Sequence, residues 1–145
     1  MILGITGTRE GATHQQIDAF KKLILYTYLV TEFHHGDCVG VDAEGHDFAR
    51  GLFDIIIHPP ENPKYRAFCQ GACEIRPEKE YKARNCDIVD ECDLLIGMPK
   101  EEFEIVRSGT WHALRYARKM KKPCIIIWPS GKIAEINLDK LEKIV

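Results

Sequence analysis

The chain has 145 residues, 45% of them hydrophobic and 29% charged, with a net charge of −2. This is the size and balance of one globular domain, here expected to span residues 1–145, that buries roughly two-thirds of its unfolded surface. It excludes a disordered tail, a collagen and a low-complexity segment. The longest strictly aliphatic run, Ile55-Ile56-Ile57, is far below the ~20 residues of a spanning helix. The opening MILGITGTRE has no basic leader, so a cytoplasmic setting with no membrane partner is expected.

In chain order, Met1–Thr6 is a short apolar run ended by Gly7 and is expected as a buried strand. Thr13 and Gln16 form a capping-box pair. Beyond them Ile17, Phe20, Ile24 and Tyr28 recur at helical spacing. Leu25, Tyr26 and Leu29 widen that apolar face enough to cover a second copy of the chain, so a homodimer is expected. Glu32–His35 is a second strand, stopped by Gly36. A helix over Ala43–Leu52 follows, with Asp42 as its cap and Phe48, Ala49 and Leu52 on its inner side. Asp54–His58 is a third strand, and Pro59–Arg76 is the least regular stretch. Pro77 suits the first position of a helix running to about Asp90. Asp93–Met98 is a fourth strand, stopped at Pro99. Ser108-Gly109-Thr110 opens a helix through Lys121, and Cys124–Trp128 is a fifth strand. Residues 130–145 are expected to add a short strand and a last helical turn.

Near-continuous apolar strands alternating with helices imply an α/β fold with helices on both faces of a parallel sheet. A doubly wound, Rossmann-like sheet of about five strands in the order 3-2-1-4-5 is expected. Ligands in such sheets bind beyond the carboxyl ends of the strands, at the switch point between the first and fourth. Three polar loops reach that region. Gly7-Thr8-Arg9-Glu10-Gly11 allows close backbone approach to an anion, and Arg9 can fork onto a phosphate. It matches neither G-x-G-x-x-G nor the Walker loop. Gly36–Asp42 would wrap a sugar or phosphate, although Asp42 fits a helix cap better. Ser108-Gly109-Thr110 presents amides and hydroxyls at the positive end of a helix.

Arg84-Asn85 within a helix invites a reason, since Asn is a mediocre helix former; an arginine aimed at the crevice is one, and a surface ion pair with Glu80 is the other. His34, His35, Asp37, Asp42 and His46 crowd one segment, but without metal-ligand spacing. Neither a metal nor a cofactor is expected. The six cysteines include no C-x-x-C pair and are expected as reduced thiols, with Cys92 and Cys124 in the core and Cys69 and Cys73 spaced for one helix face. The basic stretch Arg115–Lys122 reads as a solvated helix end, with nucleic-acid binding the minority reading.

Together these stretches resemble the SLOG superfamily, named for DNA-processing protein A and the lonely-guy phosphoribohydrolases. Gly4–Arg9 resembles its opening strand and turn, and His35–Asp42 its glycine-rich loop. Arg84-Asn85 resembles the Arg-Asn of the DNA-processing branch, Asp93–Pro99 the strand-to-proline element, and Ser108–Thr110 the phosphate loop. The resemblance implies a nucleotide-binding Rossmann-like fold, often dimeric. It implies ligand contacts at Gly7, Thr8, Arg9, Gly36, Asp42, Arg84, Asn85, Pro99, Ser108, Gly109, Thr110 and Trp111. Ala113 stands where the related hydrolases carry a catalytic Glu, and Lys100–Val106 is inserted after Pro99. Binding of a nucleotide or nucleotide-derived molecule is therefore the main expectation. The alternatives are an N-glycosidase acting on a nucleoside monophosphate, with Asp42 or an inserted Glu as carboxylate and Arg84 as its partner, and a DNA-binding module.

Overall fold

The computed structural model describes residues 1–141 and Lys143; Glu142, Ile144 and Val145, at the end of the expected final element, lie outside the described residues. One sheet contains β1 (Ile2–Gly7), β2 (Glu32–His35), β3 (Asp54–Ile57), β4 (Glu74–Ile75), β5 (Leu94–Met98), β6 (Cys124–Ile127) and β7 (Ile133–Ile136). Their order is β4-β3-β2-β1-β5-β6-β7, all pairs parallel except β6 with β7. The α/β class and the mutual order of the five expected strands hold. The sheet has seven strands rather than about five: antiparallel β7 is the short strand expected within residues 130–145, and short β4, on the other edge, was not expected. No helix among the described residues is long and apolar enough to cross a membrane.

Strand alternation divides the core into two layers. Leu3, Ile5, Phe33, Ile55 and Ile57 point to one face, against α1 (His14–Lys22) and α2 (Val41–Ala49). Leu95, Cys124 and Ile126 point to the other, against α3 (Tyr81–Glu91) and α4 (Gly109–Lys119). Each fully buried aliphatic side chain contributes about 1.5–3 kcal/mol. The α3 face carries a sequence signature: an added Cβ at Gly4 would press on Ile88 and Cys92, and one at Gly97 on Leu114. Cys92 and Cys124 are buried as expected, and burial pushes both thiols up to about 12.

The capping box at Thr13 forms, its hydroxyl accepting from the Gln16 amide. After Lys22 the helix widens into a π-turn over Leu23–Thr27, which keeps Ile24 and Tyr28 in the core. Leu25, Tyr26 and Leu29 remain 43%, 73% and 67% exposed, an apolar face left uncovered among the described residues.

Four local expectations are corrected. Pro77 does not start α3: the helix begins at Tyr81, where the Glu80 carboxylate accepts from the Lys82 and Ala83 amides and provides the cap. Leu52 lies in the turn after α2 and is exposed, because that helix ends at Ala49. Cys69 and Cys73 share no helix, since residues 66–73 run as irregular chain. Arg84 is buried and makes no surface pair with Glu80.

Candidate functional site

The carboxyl ends of β1, β2 and β5 open onto a cleft of about 1260 Å³. That exceeds the roughly 300–1,000 Å³ usual for a small-molecule site, so a ligand larger than a sugar phosphate has room. Six cationic and five carboxylate side chains line it.

The first wall is the turn after β1. Thr8 donates its amide to Met98 O at 3.1 Å and accepts at its own carbonyl from the Val41 amide at 3.0 Å. Gly40 has φ +88°, and a Cβ there would collide with the Thr8 carbonyl and the Arg9 backbone. Only glycine fits both constraints. Gly7 packs directly on the Val41 side chain. Arg9 lies over the Tyr65 ring, 3.8 Å from its centroid, a cation–π pair at the cleft edge.

The second wall is the loop after β2. Gly40, not Asp42, occupies the cap position of α2 and has no side chain to cap with. Asp42 sits one residue further in, where its Oδ2 accepts from the Gly36 amide at 3.1 Å and the Cys38 amide at 3.3 Å. The carboxylate therefore ties the loop rather than the helix. Burial raises its pKa to about 6, outweighing the nearby Arg84 charge and the two amide bonds.

Arg84 explains the Arg-Asn pair. Its Nη1 donates to Gly36 O at 2.5 Å and to His58 O at 3.1 Å, and its Nε to Asn85 Oδ1 at 2.8 Å. Asn85 Nδ2 reaches Gly109 O at 3.4 Å. A Cβ on Gly36 would collide with the guanidinium. Two residues of α3 thus hold the ends of β2 and β3 and the start of α4.

The third wall is the start of α4. Ser108 is its cap, the hydroxyl accepting from the Trp111 amide at 3.3 Å. The Gly109 and Thr110 amides have no partner among the described residues, and space is open where a Gly109 Cβ would stand. Ser108, Gly109 and Thr110 all line the cleft.

Two expected contacts lie elsewhere. Trp111 turns into the core, 1% exposed, with its ring 5.6 Å from that of Trp128 and its Nε1 donating to Glu101. One helical step past the cleft-facing turn, it meets the sheet rather than solvent. Pro99 is not part of the cleft lining; its carbonyl accepts from Gln16 Nε2. The basic helix end is partly committed as well. Arg115 donates to Ile105 O and Val106 O, and Arg115 and Arg118 both meet Glu104 of the inserted loop.

Sequence reasoning missed two features. Asp37, buried and at φ +58°, anchors the irregular segment: its carboxylate accepts from Arg66 Nε and the Cys69 amide, each at 2.9 Å. Burial raises its pKa, but these bonds win and hold it below the ordinary value. The histidines, crowded in sequence, separate in space into two contacting pairs, His35–His46 and His34–His58. Strand alternation at His34-His35 was the available signal.

No protein-family model matches the chain, and no curated protein sequence matches it. Among solved structures it is similar to the molybdenum cofactor binding protein from the phototrophic bacterium Rippkaea orientalis, with a TM-score of 0.61 and 22% identity. The match covers 88% of this chain and 76% of that one. At this identity the likeness establishes a shared α/β fold.

Proposed function

We propose that the cleft binds a nucleotide or a nucleotide-derived ligand, with a phosphate group on the Gly109 and Thr110 amides. The observation that carries the reading is this pair of unpartnered amides at the start of an eleven-residue helix, beside the β1–β5 switch point. Such a helix end supplies hydrogen-bond donors and the positive end of the macrodipole together. Arg9 and the ordered Gly36–Asp42 loop border the same space and would meet the sugar or further phosphates. The SLOG-like motifs and the similarity to a cofactor-binding protein support the same class of ligand.

The test is Gly109→Pro. Proline is favoured at the first position of a helix, Ser108 already has the extended backbone that precedes proline, and the space for the ring is open. The change removes one amide donor and leaves α4 capped. Titration calorimetry with nucleoside mono- and diphosphates is expected to show a loss of about 1.5–3 kcal/mol, the range for hydrogen bonds to charged groups. Thermal stability should hold or rise by about 0.4–1 kcal/mol, because proline restricts the unfolded chain at a site whose native backbone it fits. Equal affinity in both proteins, or no binding by the unaltered chain, would refute the site.

A further inference from the structure

The two histidine pairs flank β2 on opposite faces of the sheet, and their hydrogen bonds differ in one decisive way. In the first pair every ring nitrogen is engaged. The Asp37 amide donates to His35 Nδ1 at 2.9 Å, His35 Nε2 meets His46 Nδ1 at 2.9 Å, and His46 Nε2 meets Gln70 O at 2.6 Å. The amide at one end and the carbonyl at the other fix the tautomers: His35 carries its proton on Nε2 and His46 on its own Nε2. Cys69 Sγ is close enough to complete a three-ligand set. Yet His35 Nε2 cannot bind an ion unless its proton moves to Nδ1, where the Asp37 N–H already points. This pair is sealed.

The second pair is arranged the other way. Glu32 Oε1 lies 2.6 Å from His34 Nε2, which fixes the proton there and leaves the Nδ1 lone pair facing His58 Nε2 at 2.8 Å. A carboxylate holding the far N–H of an imidazole is the usual support of a metal-bound histidine. Glu91 brings Oε2 to 3.7 Å from His58 Nε2, too far for a hydrogen bond. All three ligand atoms lie within 4.8 Å of one another. Both histidines are under 3% exposed, while Glu91 opens to solvent. Beside them is a pocket of about 290 Å³, bordered by His58, Asp87 and Glu91 and by the cations Arg76, Lys79 and Arg84. Arg76, whose buried Nε has no hydrogen-bond partner among the described residues, borders the same pocket.

From this geometry we propose that His34 Nδ1, His58 Nε2 and Glu91 Oε2 bind a zinc-like divalent transition-metal ion, with its fourth position open to the pocket. Two nitrogens and a carboxylate oxygen suit such an ion, and three protein ligands leave room for water or an anion. Nitrogens sharing a tetrahedral ion with metal–nitrogen bonds of about 2.0–2.1 Å stand roughly 3.3 Å apart. The pair therefore opens by about half an ångström to admit the ion. The protons balance: the His58 proton moves from Nε2 to Nδ1, both lone pairs are donated to the metal, and nothing is oxidised or released. Glu91 keeps its other oxygen on Arg76.

The experiment uses the full chain, stripped with chelator and titrated with Co²⁺ alone, then with Zn²⁺ in competition. One equivalent of Co²⁺ is expected to give visible d–d bands without a near-ultraviolet thiolate-to-cobalt band, and Zn²⁺ should displace it. Glu91→Gln, on an exposed side chain, should weaken Co²⁺ binding about tenfold or more with folding intact. Glu32→Gln should weaken it by about 10–100-fold through the lost support of His34. A thiolate band would place the ion at Cys69 instead and overturn the proposal. So would no uptake at equimolar metal, or unchanged affinity in Glu91→Gln.

Discussion

The His35–His46 and His34–His58 pairs use the same side chains, nearly the same burial and adjacent positions of one strand. One ends on a backbone amide and a backbone carbonyl, so its protons have nowhere else to go. The other ends on a carboxylate at one side and an open pocket at the other. What separates a structural polar group from one prepared for a ligand is whether the protein itself completes the hydrogen bonds. The same test divides the cleft. Arg84 is largely spent on the carbonyls of Gly36 and His58 and on Asn85, whereas the first amides of α4 are left over.

The largest expected effect is at Arg84. If it is chiefly a brace, Arg84→Ala should cost about 3 kcal/mol or more of stability in denaturant unfolding, from the carbonyls and amide left unpaired. Arg84→Lys should recover only part, since an ammonium cannot reproduce the planar fork. Full stability with selectively lost nucleotide binding would return Arg84 to the role of a ligand contact.

Asp42 comes next. Its folded pKa of about 6 lies above the ordinary 3.8, so its protonated form is the one that the fold favours. That contribution is complete below about pH 4 and is lost as pH rises through about 6. Stability relative to Asp42→Asn should therefore fall on the order of 2–3 kcal/mol between pH 4 and 7. A pH-independent difference would mean that solvent or a bound cation keeps the carboxylate at its ordinary value.

The smallest effect is expected at His46. His46→Leu leaves the His35 N–H and the Gln70 carbonyl without partners and should cost about 2 kcal/mol, with Co²⁺ affinity unchanged. A loss of metal binding in that variant would show that the two faces are coupled.

Several of these residues announced themselves in the chain. The β1 turn, the Ser108 cap and the switch point followed from apolar runs punctuated by glycine, proline and capping residues, because such signals are local and backbone geometry enforces them. Asp42 was legible as a polar residue of the loop before α2 but not in its role. A carboxylate near a helix start suits a cap on local grounds, and only the folded loop shows the amides of Gly36 and Cys38 closer at hand. Trp111 was placed on the wrong side for a related reason: one helical step decides between cleft and core.

Local patterns in the chain were enough for the layered α/β class, the mutual order of five strands, a short strand within residues 130–145 and the helix that opens at Ser108. These depend on periodicity and on the handedness of crossovers, which every residue in an element reinforces. Long-range contacts settle that β4 joins one edge, that β7 runs antiparallel on the other, that Arg84 braces two strand ends, and that His34 meets His58 and Glu91 rather than His35 and His46. The Arg84 and His34 contacts join residues 24 to 57 positions apart along the chain. Their energies depend on which donors the folded backbone leaves unpaired, and no local pattern encodes that.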